Sequence, residues 1–179
     1  MEYIDIYDEN NNIKIGVKEK EQAHKDGNFH RTAHIWIIND KNELLIQKRS
    51  ATKKDHPNYW DVSGAGHVRT GESVIQGAIR ELNEELGLEA NGQDLHYIAT
   101  VKSDKISNKE FQYVYLLKCN KKVDEYIFND GEVSEVKYVP YEEFEKMANE
   151  KVNGLVKHEE EYKYLFNYIR SFKILKKGK

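Results

Sequence analysis

The chain has one cysteine, Cys119, so no internal disulfide framework can staple it. It has no apolar run of roughly 18 residues, which argues against a membrane-spanning helix. Its acidic start, MEYIDIYDENNN, has no apolar leader core, and with the single cysteine this points to the cytoplasm. There is no Pro/Gly/Ser-rich linker, no internal repeat and no low-complexity tract, so the simplest reading is one domain over residues 1–179, long enough for a real core. Charge of one sign is also scarce. The formal net charge is −3, which gives no global field to attract nucleic acid. The compact basic patches are Lys48-Arg49 with Lys53-Lys54, and the tail Lys173 to Lys179, which reads as a solvated, frayed end.

What is present is patterned. Residues 1–20 read as a hairpin, with Tyr3 to Tyr7 and Ile13 to Val17 alternating on either side of Asn10-Asn11-Asn12. Residues 19–25 suit a short helix or turn. His34 to Ile38 reads as a buried strand, Asn39 to Asn42 as a turn and Glu43 to Lys48 as a second strand. Asp55-His56-Pro57-Asn58 has loop chemistry, and Trp60 to Ser63 suits a short strand. Further strands are expected over His96–Lys102, Phe111–Leu117 and Val133–Val139. Helices are expected at Tyr141–Asn149 and Leu155–Phe172. The order implies an α+β fold, a mixed sheet sandwiched between helices in α/β/α layers. The last helix carries a broad apolar stripe (Leu155, Tyr162, Leu165, Phe166, Ile169, Phe172) that suits packing on the domain and equally a homodimer contact.

One stretch stands apart. Ser73 to Leu86 reads as a helix with a Ser73–Gln76 capping box and Gly87 at the left-handed C′ position. Val74, Ile75, Ala78, Leu82 and Leu86 form its apolar stripe. Glu81, Glu84 and Glu85 crowd a second face. Left alone, like charges at this spacing cost a few tenths of a kcal/mol per pair, a cost that a hard, oxygen-preferring cation such as Mg²⁺ removes. A bare acidic helix face is ordinarily just solvated. Here it comes with Gly66, Glu72, Arg80, Gly87 and Leu88 at fixed spacing: Gly, five residues, Glu, seven residues, then Arg-Glu-Leu-x-Glu-Glu-x-Gly-Leu. By residue frequencies such a set arises on the order of once in 10⁹ start positions, so chance is set aside.

That stretch resembles the Nudix box of diphosphate hydrolases. The resemblance implies a Nudix fold and a Mg²⁺ site, with Mn²⁺ as a substitute, built from Glu81, Glu84, Glu85 and the carbonyl near Gly66. It implies that Arg80 pairs with Glu72 or Glu84 and holds the site in shape, with Glu72 and Gly87 structural. The general base varies in the family. Glu85 and Glu132, the latter in the loop Asn129-Asp130-Gly131-Glu132, are the candidates, and Glu135 is set aside as a strand residue.

Residues 3–90 further resemble the isopentenyl-diphosphate isomerase branch of the Nudix superfamily, through IDIYDENNNIKIG, KEQAHKDGNFHR, LLIQKRSATKKDHPNYWD and AGHVRTGES. There, histidines matching His24, His30 and His67 bind a divalent metal, and basic residues matching Arg49 and Lys53 bind diphosphate. His24 and His30 lie in polar text and read equally as surface residues. His67 follows the first glycine of the box and is a candidate for metal or phosphate contact. Two departures matter. The isomerase cysteine is Ala65 here, and the later strand, read as Phe111 to Leu117, brings no acid. Tyr113 and Tyr115 share one face of that strand and Trp60 suits the cleft mouth, as possible ring platforms. The expectation is a Mg²⁺-dependent hydrolase of a small-molecule diphosphate, a nucleoside diphosphate linked to a group X, with nucleoside di- and triphosphates first. The isomerase and a non-catalytic nucleotide-binding module are the alternatives.

Overall fold

Alternation of side chains along one long strand sorts the core into two halves. The computed structural model describes residues 1–105 and 108–177, with side chains as far as Ser171. The elements are β1 (Tyr3–Tyr7), β2 (Lys14–Glu19), α1 (Lys20–Lys25), β3 (Phe29–Ile38), β4 (Glu43–Arg49), β5 (Trp60–Asp61), β6 (Gly64–His67), α2 (Val74–Leu86), β7 (Leu95–Lys105), β8 (Asn108–Lys118), β9 (Val133–Pro140), α3 (Tyr141–Asn149) and α4 (Glu159–Lys177).

Strand β3 is the hub. It pairs antiparallel with β1, β4 and β6 and parallel with β8, and β4 in turn pairs with β5 and β9. Successive side chains point to opposite faces. Ala33, Ile35 and Ile37 therefore meet Ala78, Leu82 and Leu86 of α2 on one face. Trp36 meets Phe144 of α3 and Tyr162, Leu165 and Phe166 of α4 on the other. This is the mixed sheet between helices expected of an α+β Nudix fold. Among the described residues no helix is long and apolar enough to cross a membrane.

Helix α2 begins where its chemistry dictates. The Ser73 side chain accepts from the Gln76 amide and the Gln76 side chain accepts from the Ser73 amide, closing a capping box, and Gly87 takes φ 59° at the far end. Ile75 departs from the expected stripe. It is exposed, while Ile79 packs against the core, because the buried arc is centred on Ala78, Leu82 and Leu86.

Several boundaries differ from the sequence reading, β3 among them, which starts at Phe29 rather than His34. Strand β8 starts at Asn108 rather than Phe111, which brings Glu110 into the sheet. Helix α4 starts at Glu159, so Leu155 is not helical; it is buried by a bridge to Trp60. Trp60 itself packs on the α4 half, beneath Lys48 and Lys137. Phe172 as a stripe residue lies outside the described side chains, as does the Lys173–Lys179 tail.

Buried charge ties α4 to the sheet. Glu161, fully buried, accepts from Trp36 Nε1 and pairs with His34 Nδ1, both at 2.7 Å. His158 Nε2 pairs with Asp61 at 2.7 Å, and Arg49 reaches the same carboxylate at 3.1 Å. Burial opposes the charge on His34, but the Glu161 carboxylate outweighs it and lifts the pKa to about 9. Burial likewise opposes ionisation of Asp61, yet His158 and Arg49 hold it at about 2. The His34–Glu161 contribution to stability is therefore fully present below pH 6.5, the ordinary histidine value, and is lost as pH rises through about 9. The Asp61 contribution is present above pH 3.8 and is lost as pH falls through about 2. Urea midpoints measured from pH 6 to 10 should fall on the alkaline side, and Glu161→Gln should flatten that limb. An alkaline limb unchanged in the variant would refute the assignment.

Candidate active site and metal centre

The expected site residues gather where α2 lies against β6. The strand reads Gly-Ala-Gly-His, and its small residues let the helix come close. A Cβ placed on Gly66 would stand 2.0 Å from the Glu81 carboxyl carbon, so any larger residue there must displace that carboxylate. The amide of Ala65 donates to Glu85 at 3.0 Å, and Gln47 on β4 donates to the same oxygen at 3.2 Å.

Arg80 organises the carboxylates. Its guanidinium bonds Glu72 through Nε at 2.8 Å and Nη2 at 3.0 Å, Glu81 through Nη1 at 2.6 Å and Glu84 through Nη1 at 3.0 Å. Nη2 also donates to the His67 carbonyl at 2.8 Å. The pairing alternatives of the sequence, Glu72 or Glu84, are thus both realised, with Glu81 added. Glu81 feels burial most. Arg80 opposes that effect, and the pKa still rises to about 7. Glu85 is raised well above the carboxylate range by burial and then by its neighbour Glu81.

A loop completes this side. Asn129 donates from its backbone to the Glu84 carbonyl and from its side chain to the Asn83 carbonyl, docking the loop on the end of α2. Ser50 donates to the Glu132 carbonyl. Carboxylate oxygens of Glu85, Asp130 and Glu132 consequently lie within 4.8 Å of one another. Lys53 pairs with Glu132, so these two candidates do meet. Arg49 bonds the Asp61 carboxylate through Nη1 and the Asp55 carbonyl through Nε.

The other face of β6 carries a second cluster. His67 follows Gly66, so its ring points away from Glu81. It meets His24 at 2.9 Å between Nε2 atoms, and one ligand atom each of His24, His30, His67 and Glu110 falls within 4.8 Å. His67, the candidate for metal or phosphate contact, thus lies in this cluster rather than among Glu81, Glu84 and Glu85. The polar text around His30 does not mean exposure either, since His30 is fully buried. Its Nδ1 lies 3.0 Å from the Asn28 carbonyl, an acceptor only, so Nδ1 carries a proton and Nε2 faces the cluster. Among the described residues that Nε2 makes no hydrogen bond, though Glu110 lies 3.6 Å away, and the buried Thr32 hydroxyl, which the strand register sets between His67 and Gln112, has no hydrogen-bond partner. Burial, with His30 and His24 nearby, lowers the His67 pKa to about 3, while Glu110 pulls the other way. Burial penalises the Glu110 carboxylate, and the adjacent His30 more than compensates. Three imidazoles and one carboxylate, with His30 Nδ1 anchored from behind on the Asn28 carbonyl, fit a divalent metal.

Sequence reading misses Glu110 because it begins this strand at Phe111, three residues after the observed start. The signal was there: Glu110 and Gln112 alternate with Phe111, Tyr113 and Tyr115, so they share the histidine face. Tyr113 and Tyr115 both pack towards α2, with Tyr115 buried.

The NUDIX domain profile matches residues 28–158. The chain belongs to the Nudix family. It is 33% identical, over 86% of its length and 77% of the relative's, to an uncharacterised Nudix hydrolase of Clostridium acetobutylicum. It is 36% identical to an isopentenyl-diphosphate Delta-isomerase of Serratia proteamaculans over 57% of this chain and 58% of that one, so the shared part is little more than half of each. The fold matches a crystal structure of DR0079 from Deinococcus radiodurans with a TM-score of 0.71 at 23% identity, covering 89% of this chain and 95% of that one.

Gly66→Ala tests the close approach. The added methyl must displace Glu81 or shift β6, and overpacking of this kind costs about 1–3 kcal/mol. We expect a lower urea midpoint with an unchanged m-value. Wild-type stability in the alanine variant would show that Glu81 can move away freely.

Proposed function

We propose that the chain is a divalent-cation-dependent hydrolase of phosphoanhydride bonds, acting on a nucleoside diphosphate linked to a further group, with nucleoside di- and triphosphates first. The reading rests on the state of Glu85. Its bonds come from neutral donors, Gln47 and the Ala65 amide, while Glu81, Asp130 and Glu132 surround it with like charge. Burial makes that concentration of carboxylate costly unless a cation joins it, and the all-oxygen donor set of Glu81, Glu84, Glu85 and the Gly66 main chain suits Mg²⁺ or Mn²⁺. Such a cation supplies charge neutralisation on the diphosphate and acidifies a bound water.

The protein's own groups have distinct tasks in this reading. Arg80 fixes the relative positions of Glu72, Glu81 and Glu84. Lys53 reaches the site from the β4–β5 loop and offers a point charge to phosphate. Glu132, or failing it Glu85, takes the proton from the attacking water. Attack on one phosphorus gives two phosphate-containing products, or inorganic phosphate and a monophosphate. The partner is a small molecule rather than nucleic acid.

A second reading draws on the histidine centre, whose match in the isomerase branch binds metal. His24, His30, His67 and Glu110 would hold a divalent ion here too. Allylic isomerisation also needs a proton donor and acceptor on opposite sides of the alkene. Position 65 offers a methyl group and Gln112 a neutral amide, so we assign this centre a metal-binding role without isomerisation.

A phosphate-release screen with and without Mg²⁺ decides between the readings. The panel holds nucleoside di- and triphosphates, nucleotide-sugars, thiamin diphosphate and isopentenyl diphosphate, with a coupled phosphatase to reveal monoester products. Metal-dependent release is expected. Glu84→Gln should keep the fold and lower turnover by orders of magnitude, and unchanged turnover would remove the carboxylate metal site. Glu132→Gln should lower turnover with Mg²⁺ affinity less affected; wild-type behaviour would pass the role of base to Glu85. Silence across the panel with double-bond migration in isopentenyl diphosphate would establish the isomerase. Silence in both assays with nucleotide binding intact would mark a binding module.

A further inference from the structure

The box places a residue beside its carboxylates that neither the motif nor the proposed chemistry has used. Arg69 lies between Gly66 and Glu72, and its main chain is pinned on several sides. It bridges to Ile4, its amide donates to Glu72 at 3.0 Å, and the next amide, that of Thr70, donates to the Tyr3 carbonyl at 2.9 Å. From this fixed base the guanidinium reaches across to α2 and grips Glu84 with both prongs, Nη1 to Oε1 at 3.2 Å and Nη2 to Oε2 at 3.1 Å.

That grip cannot survive cation binding at Glu84. A carboxylate whose two oxygens fill one guanidinium fork has little left to offer a dication, and the dication repels the guanidinium. One of the two arginines on Glu84 must give way. Arg80 is the anchored one: its side chain is 15% exposed and it also holds Glu72, Glu81 and the His67 carbonyl. The Arg69 side chain is 41% exposed. It can swing at small cost while its backbone stays in place. A guanidinium released next to a cation-bound diphosphate finds a second anion of matching geometry, because the fork that fits a carboxylate also fits two phosphate oxygens.

We propose that Arg69 is a diphosphate-binding residue that exchanges Glu84 for a phosphate group of the substrate when the carboxylates take up a divalent cation. Before loading, Arg69 stands in for the cation and offsets repulsion among Glu81, Glu84 and Glu85. After loading, the same side chain reads the substrate. The proposal rests on the hydrolase reading above.

It predicts opposite changes in two affinities, which a purely structural arginine would not give. Calorimetric titration with Mg²⁺ alone should show roughly two- to fivefold tighter binding in Arg69→Ala than in wild type, because a competitor for Glu84 is gone. Titration with the non-hydrolysable imidodiphosphate at saturating Mg²⁺ should show about tenfold weaker binding or more. In turnover with the best nucleotide of the screen, KM should rise by a similar factor while kcat changes less. Arg69→Lys keeps the charge and loses the fork, so it should fall between the two, and it supplies the same readings should the alanine variant not fold. Arg69 variants that bind imidodiphosphate like wild type, or bind Mg²⁺ more weakly, overturn the exchange and leave the hydrolase reading standing. Wild-type protein that binds neither Mg²⁺ nor imidodiphosphate overturns the reading and the exchange together.

Discussion

Everything at the carboxylate site depends on one guanidinium being shared among acids that would otherwise repel each other. Arg80 contacts Glu72, Glu81 and Glu84 and also the His67 main chain. The first of these carboxylates comes from the loop before α2, the other two from α2 itself and the carbonyl from β6. Removing it would leave partly buried carboxylates facing each other. It would also untie the strand that brings Gly66 against Glu81. Burial and charge are thus balanced locally, and the sheet is braced separately by Glu161 beneath Trp36 and His34.

Strand β6 acts as a partition. Its odd and even residues serve different chemistries: carboxylate oxygens press on Gly64 and Gly66 from the α2 side, and the His67 ring joins His24, His30 and Glu110 on the other. The two donor sets differ in kind. One is all oxygen and suits a hard cation. The other is three imidazoles and one carboxylate and suits a softer metal. Fixed spacing along one short strand keeps them apart without any intervening core.

Much of this was legible in the sequence where signals are local. The capping box of Ser73 and Gln76, the Gly87 stop and the Arg80 pairing all follow from residues within one or two helical turns of each other. The α/β/α layering followed from the order of alternating and helical segments. What escaped depends on pairing between distant strands. Glu110 matters because β8 runs parallel to β3 in a register that sets it beside His30. His158 and Asp61 meet only because the chain after β9 returns over the short strand at Trp60. The engagement of Arg49 by Asp61 is likewise invisible until that return is known. Periodicity reports which face a residue takes, and says nothing about which neighbour waits there.

Strand β6 can also change on one face without disturbing the other. Residue 65 presents its amide to Glu85 on one side, and that bond is made by the backbone whatever the side chain. Its side chain packs towards the α4 half of the core, on the histidine side of the strand. Exchanging a methyl group for a thiol here would therefore change the reactive groups beside the histidine cluster while leaving the hydrogen bonding of the helix carboxylates as it is. Such a strand lets a side chain on one face change while the backbone bond to the opposite face stays in place.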